Sequence, residues 1–405
     1  MPKDKPEIRF AGYTDAWEKR KLGSMGTTYS GLSGKTKEDF GHGNAKFVTY
    51  MNVFSNPLSQ LEGLDSIEID EKQHQVKKGD VFFTTSSETP NEVGMSSVWT
   101  FNIPNVYLNS FTFAYRPTEV FDLNYLAFVL RSPLVRRSFM LLAQGISRFN
   151  ISKVKAMDIT IPVPEFKEQE KIGSLLGSLD NLITVNQRKV DLLKELKKGF
   201  LQKMFPKTGE DKPEIRFAGY TDVWEKRKLS SQYKKITEKN DLSFKTNKII
   251  SVANMYYKSD SAKSDDNYMK TYNVFRIGDI AFEGHKSNSY AYGRFVENTI
   301  GDGIVSHIFD VFRPIRDYDL QYWKYAIQYE PIMGRLLMKS TTKSTMMNNL
   351  VAKDFLKKEL RIPKLNEQQK IGGLFQKLDK LITVNQRRVD LLKQEKKALL
   401  QKMFV

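Results

Sequence analysis

Two stretches of the chain place apolar residues three and four apart over a long run. The first carries Ile172, Leu175, Leu176, Leu179, Leu182, Ile183, Val190, Leu193, Phe200 and Met204, with Lys, Glu, Gln and Asp between them. The second carries Ile371, Phe375, Leu378, Ile382, Val389, Leu392, Leu399 and Met403 at matching intervals. Neither holds a proline, and both are rich in helix-forming Leu, Lys, Gln and Glu. A stripe of this period flanked by charge is the face of a helix that pairs with another helix. Thirty-eight residues at 1.5 Å each make a rod of roughly 57 Å.

The predicted pairing face is Leu179, Ile183, Asn186, Val190 and Leu193 on the first helix, and Leu378, Ile382, Asn385, Val389 and Leu392 on the second. Asn186 and Asn385 are the polar interruptions, each at the midpoint of its segment. Antiparallel pairing brings the two together at the centre, where their amides bond each other and fix register. Parallel pairing also aligns them, and a position at the edge of the stripe facing water is the plain alternative. The order of segments along the chain favours the antiparallel arrangement.

The rest of the chain reads differently. Runs at 81–85, 106–113 and 304–312 alternate or carry β-formers and predict strands, separated by Gly, Pro, Asn and Ser clusters. Apolar helical patterns around 122–142 and 319–339 each follow an aspartate, Asp122 or Asp319, and each meets a proline, Pro133 or Pro331. These are compact α+β blocks.

The chain is written twice. KPEIRFAGYTDAWEKRKL at 5–22 returns at 212–229 with one change, Ala16 against Val223. The segments 168–205 and 367–404 agree at 27 of 38 positions. Between opening and closing segments the blocks diverge but keep a frame: Gly79-Asp80 against Gly278-Asp279, Gly94 against Gly293, Asn150 against Asn349. The expected architecture is two similar α+β domains joined by two long, antiparallel, paired helices with pseudo-two-fold symmetry. The expected boundaries are 1–165, 166–205, 206–362 and 363–405.

Charge narrows the partners. Lys and Arg number 64 against 47 Asp and Glu, a formal net charge of +17 spread along the chain. Such an excess favours a polyanion, because basic groups on phosphates release condensed counterions; a well-solvated basic protein is the bland alternative. No apolar run approaches the roughly 20 residues of a membrane span, so no membrane partner is expected. The charged start lacks the apolar core of a signal peptide. The absence of cysteine fits a reducing cytoplasm.

Candidate chemistry is sparse. The GKT ending at Thr36 lacks the phosphate-loop glycine, since Tyr29 stands in its place. His42, His74, His285 and His307 stand singly, with no metal-ligand spacing. No nucleophile elbow, dinucleotide fingerprint or amino-methyltransferase tetrapeptide is present, and no metal or catalytic residue is assigned.

Recognition chemistry is present instead. The frames Phe83–Gly94 and Phe282–Gly293 enclose TTSSETPNEV and EGHKSNSYAY, equal in length and different at every position. A constant mount with changed contents fits two reading heads, against the alternative of drift in exposed turns. Thr84, Ser86, Glu88 and Asn91 in the first, and His285, Lys286, Asn288 and Tyr290 in the second, carry groups that read base edges. A second pair of segments, at 144–150 and 343–349, lies just before each long helix. From these and their flanks we add Ser147, Arg148 and Asn150, then Lys339, Thr341, Thr342 and Lys343, as base or phosphate contacts. Two such readers on a rod longer than one DNA turn, roughly 34 Å, make a ruler for two half-sites.

Each half reads P-E-I-R-F-x-G-Y-x-x-x-W-E-K-R-K-L, a variable block, then E-Q-x-K-I, L-D-x-L-I-T-V-N-Q-R and L-x-K-M-F. From end to end this resembles the specificity subunit of type I restriction–modification systems. The resemblance implies that the variable blocks are target recognition domains, each reading half of an asymmetric bipartite double-stranded DNA site. It implies that the helices set the spacing and dock methyltransferase (modification) subunits, two of them, and through them restriction/translocase subunits. The chain itself would bind no cofactor and catalyse nothing; S-adenosylmethionine, Mg²⁺ and ATP would act on the partner subunits. The competing reading is a stand-alone pseudo-dimeric DNA-binding regulator.

Overall fold

The computed structural model describes residues 5–258, 265–342 and 347–404. The chain divides into two compact units. Unit 1 comprises residues 1–187 with 387–405, and unit 2 comprises 188–386. Each unit therefore holds half of each long helix, and the C-terminal end of the chain belongs to unit 1.

Each unit is built on a four-stranded antiparallel sheet of the same strand order. In unit 1 the order is Gly26–Ser30, Thr112–Pro117, Val81–Thr84, Ser96–Val98. In unit 2 it is Tyr233–Ile236, Val311–Pro314, Ile280–Glu283, Arg294–Glu297. The Gly-Asp pair that survives in both halves explains itself here. Buried Asp80 accepts Nε and a terminal nitrogen of Arg116, both at 2.7 Å, and the Lys77 backbone N–H at 2.7 Å. Buried Asp279 accepts the same two groups of Arg313 at 2.9 Å and the Arg276 N–H at 2.8 Å. A buried carboxylate so fully bonded fixes the entry to the central strand in both units.

Two sequence expectations need correction. The strands expected at 106–113 and 304–312 are each interrupted, giving Val106–Leu108 and Thr112–Pro117, then Gly303–Val305 and Val311–Pro314. In the first, the Asn109 side chain accepts from Phe111 N–H at 2.9 Å and turns the chain. In the second, Phe309 N–H donates to Ser306 C=O at 3.1 Å. The helices expected around 122–142 and 319–339 are pairs: Leu123–Leu130 with Pro133–Leu141, and Leu320–Ala326 with Glu330–Met338. Proline in the first turn starts the second member of each pair, because its missing N–H costs nothing there. Asp122 and Asp319 cap the first members, accepting from Tyr125 N–H at 2.8 Å and Tyr322 N–H at 2.7 Å.

The repeated opening motif is a clasp. Arg9 donates to buried Glu168 from Nε at 2.7 Å and a terminal nitrogen at 2.9 Å, and Trp17 Nε1 adds a bond at 3.0 Å. Arg216 holds Glu367 the same way, at 2.8 Å through both nitrogens. The same motif satisfies a helix end that has run out of partners: Ile8 N–H meets Lys402 C=O at 3.1 Å, and Ile215 N–H meets Lys203 C=O at 2.9 Å. Phe404 lies against Trp17 and Tyr125, with ring centres at 6.4 and 5.8 Å. Phe205 lies against Trp224 and Tyr322, at 6.2 and 5.7 Å. Eighteen residues thus grip the start of one long helix and the end of the other.

Those helices are Phe166–Lys203 and Leu365–Lys402. In unit 1, Ile172, Leu176 and Leu179 share a core with Leu392, Leu399 and Met403. In unit 2, Ile371, Phe375 and Leu378 share one with Leu193, Phe200 and Met204. The start of each helix packs on the end of the other, so the pairing within both units is antiparallel. Ion pairs follow the same order, Lys396–Asp180 at 2.5 Å in unit 1 and Lys197–Asp379 at 2.6 Å in unit 2. Of the predicted pairing face, Leu179, Val190, Leu378 and Val389 are buried, while Ile183, Leu193, Ile382 and Leu392 are half-buried. Asn186 and Asn385 are each 7% exposed, so they do not face water. Their Nδ2 groups donate to the carbonyls of Leu182 and Leu381, four residues back, at 2.7 Å. Each amide thus spends one of its two N–H donors within its own helix.

Candidate nucleic-acid interface

The two segments picked from the sequence in each half meet in space. In unit 1, Ser86 and Ser87 pair with Asn150 and Phe149 as a short antiparallel ladder. In unit 2, Asn348 N–H donates to Gly284 C=O at 2.8 Å, and a β-bridge joins His285 to Met347. Each unit thus presents one composite surface, made of its variable loop and its pre-helix segment.

In unit 1 that surface is a cleft of about 680 Å³. Its walls include Tyr50, Phe54, Ser86, Glu88, Glu92 and Arg148. Arg148 donates to Ser86 Oγ from Nε at 3.3 Å and a terminal nitrogen at 3.1 Å. Glu92 Oε2 accepts from Thr89 Oγ1 at 2.9 Å and Ser87 Oγ at 3.2 Å. Glu88, Asn91, Ser147, Arg148 and Asn150 are exposed. Thr84 is a correction: it is fully buried, and its hydroxyl accepts Met95 N–H at 2.9 Å, so it braces the loop from beneath. Ser86 is 6% exposed, and its role is to hold Arg148.

Two half-buried arginines hold the cleft's walls, and sequence reading missed both. Arg136 donates to the carbonyls of Gly94 and Val93 at 2.6 Å and Asn91 at 3.0 Å. Arg131 donates to Ser96, Val53, Phe54 and Asn56 carbonyls between 2.7 and 3.1 Å. Burial lowers both guanidinium groups to about 10, so they stay charged at neutral pH. The loop closes at Gly94, whose φ of +64° and contact with the Phe139 ring leave no room for a side chain.

In unit 2, His285, Lys286 and Asn288 are exposed and Tyr290 is half-buried. A tight turn carries them: Ser287 and Tyr290 exchange backbone hydrogen bonds at 3.1 Å. The Arg294 guanidinium lies 5.3 Å from the Tyr290 ring centre, held by Glu283 at 2.7 Å. Asn348 Nδ2 donates to Ala291 C=O at 3.2 Å, tying the far side of the loop. Thr341 and Thr342 pair with Leu350 and Asn349. The Thr341 hydroxyl donates to Leu337 C=O at 2.8 Å, Thr342 and Lys339 are exposed, and Lys343 lies outside the described residues.

The rejected phosphate loop is an ordinary one: Lys35 pairs with Asp70 at 2.8 Å, and Thr36 binds Asp39. Among the described residues, no group of three or more His, Cys, Asp or Glu is arranged for a metal ion, and no helix is long and apolar enough to cross a membrane.

The family model for the type I restriction modification DNA specificity domain matches residues 14–195 and 220–394. The chain belongs to that family. Both matches follow the internal repeat, one to each half. Among curated relatives of this specificity-domain chain, the type I restriction enzyme MjaVIII specificity subunit of Methanocaldococcus jannaschii is 23% identical over 269 residues, 60% of each chain. The MjaX specificity subunit of the same organism is 25% identical over 201 residues, 47% of this chain and 46% of the relative. The chain thus spans about half the length of the curated relatives it matches. The fold is that of a solved type I restriction–modification S subunit from M. genitalium, with a TM-score of 0.61, 15% identity and 99% of both chains covered. A chain from a structure concerned with complex assembly and conformational transition of the type I R-M system matches with a TM-score of 0.52 and 16% identity over 96% of this chain and 97% of that one.

Proposed function

We propose that this chain is the DNA-recognition subunit of a type I restriction–modification complex, reading a bipartite, asymmetric double-stranded site. Residues 1–165 and 206–362 act as the two target recognition domains, and 166–205 and 363–405 as the spacers between them. One observation carries this reading: a repeated frame gathers a variable loop and a pre-helix segment into one surface per unit, with different side chains in each. The exposed groups there are base-edge readers, Glu88, Asn91 and Arg148 in unit 1 and His285, Lys286 and Asn288 in unit 2. The net charge of +17 supplies the sequence-independent attraction to phosphates. A stand-alone regulator is not favoured, because the family is that of restriction–modification specificity domains.

The long helices offer the modification subunits a docking face. Leu182, Val185 and Leu192 on one, and Leu381, Val384 and Leu391 on the other, leave 44–62% of their surface exposed at equivalent positions. Two equivalent apolar stripes match two methyltransferase subunits, with restriction/translocase subunits joining through them. Methylation with S-adenosylmethionine, and Mg²⁺- and ATP-dependent cleavage, then belong to those partners in the cytoplasm.

The test is an exchange of residues 230–362 for the matching block of a relative, within the assembled complex. One half of the recognised sequence should change and the other persist. Change in both halves, or DNA methylation by the purified chain alone, would overturn the reading.

A further inference from the structure

The cleft of unit 1 holds two opposite charges that do not neutralise each other. Among the described residues Arg148 has no carboxylate partner and Glu92 no cationic one, although both line the same 680 Å³ space. Each is anchored to a separate hydroxyl: Arg148 to Ser86 Oγ, and Glu92 through Oε2 to Thr89 and Ser87. Among the described residues, their remaining atoms, the second guanidinium terminus and Glu92 Oε1, form no hydrogen bond. Tyr50 and Phe54 stack at 5.9 Å and 17° along the same cleft, and the Tyr50 hydroxyl donates to Ser86 C=O at 2.8 Å. Burial raises the Tyr50 phenol, and Arg148 and Glu92 act on it with opposite signs, so both charges border the same aromatic wall.

A base pair that offers acceptors on one base and an amino donor on the other matches this arrangement. Guanine presents O6 and N7 to a guanidinium, and cytosine presents its N4 amino group to a carboxylate. An A·T pair offers its acceptors singly, adenine N7 beside the N6 amino donor and thymine O4 beside the methyl group, so a guanidinium fork finds two acceptors on one base only at guanine. Resting on the function proposed above, we infer that unit 1 reads one G·C pair of its half-site, with Arg148 on the guanine edge and Glu92 on the cytosine amino group. Anchoring by hydroxyls in place of an ion pair keeps both charges available and pre-aimed. Unit 2, with His285, Lys286 and Asn288 at the equivalent loop, lacks this pair of charges and reads other edges.

The experiment maps methylated sequences made by the full complex carrying the natural chain, Arg148→Lys or Glu92→Ala. The natural complex should require G·C at one position of one half-site. Both variants should relax that same position by about tenfold, the discrimination one bidentate contact supplies, while every other base of both half-sites keeps its preference. Arg148→Lys keeps the charge and loses the planar fork, so a phosphate contact would survive it. Uniform weakening across all sequences, relaxation at two different positions, or unchanged preference overturns the inference and leaves the bipartite reading standing. A natural complex with no split site overturns both.

Discussion

Glu297 shows most plainly how one residue in a shared frame sets a property of its unit. In the two sheets Val98 faces Val81, and Glu297 faces Ile280, at the same register. The frame is apolar there, yet unit 2 buries a carboxyl group whose oxygens have no hydrogen-bond partner among the described residues. Burial raises its pKa from 4.5 to about 9, with Asp319 adding to the rise and Lys324 opposing it. The unfolded chain loses this proton above pH 4.5, whereas the folded chain holds it until about 9. Its contribution to stability is therefore full below pH 4.5 and lost as pH rises toward 9. Glu297→Val, the residue unit 1 uses, should stabilise unit 2 by about 2 kcal/mol near pH 8 and flatten its pH dependence between 5 and 8. Urea unfolding at the two pH values measures this; an unchanged slope would show that the proton is not held there.

Among elements, the opening motif and the closing helices are one device. The motif near the N-terminus joins the start of the first long helix, through Glu168, to the end of the second, through Lys402 and Phe404. Unit 1 is therefore completed by residues about as far along the chain as they can be. Phe404→Ala should cost unit 1 roughly 3–5 kcal/mol, as expected for a buried Phe, and leave unit 2 nearly untouched. Phe205→Ala should do the reverse. Hydrogen exchange resolved by residue separates the two, and equal loss of protection in both units after either change would contradict this division.

The same elements show what the sequence makes legible. The long helices and the doubled α+β blocks follow from period and repetition, which act locally and over many residues, while only the order of segments along the chain pointed to antiparallel pairing. The composite reading surfaces were half legible. Polar loops inside a constant frame marked the segments, but nothing in sequence order tells that 86–87 pairs with 149–150. Tyr50 and Phe54 were missed because the six-residue helix Tyr50–Ser55 lies in a divergent block and its wall of the cleft is assembled by long-range contacts, whereas Glu92 lay inside the marked loop and was passed over in favour of Glu88. Arg131 and Arg136 were missed for a related reason: a half-buried arginine on backbone carbonyls has no local signature. Thr84 looked like a reader by type, and its strand turned it inward.

At the scale of the whole molecule, one ancestral unit written twice has kept its clasp, its central carboxylate–arginine pair and its helix, and has changed the contents of its loops. A repressor dimer of identical chains reads two copies of one half-site, whereas a doubled chain is free to tune each half separately. Under the function proposed above, the two heads report on one duplex. The most direct measurement is a base-resolution map of methylated positions in a host carrying the complete system. The account predicts a single motif of two unlike halves separated by a fixed number of unread bases. A continuous motif, a palindrome, or methylation without any sequence requirement would contradict it.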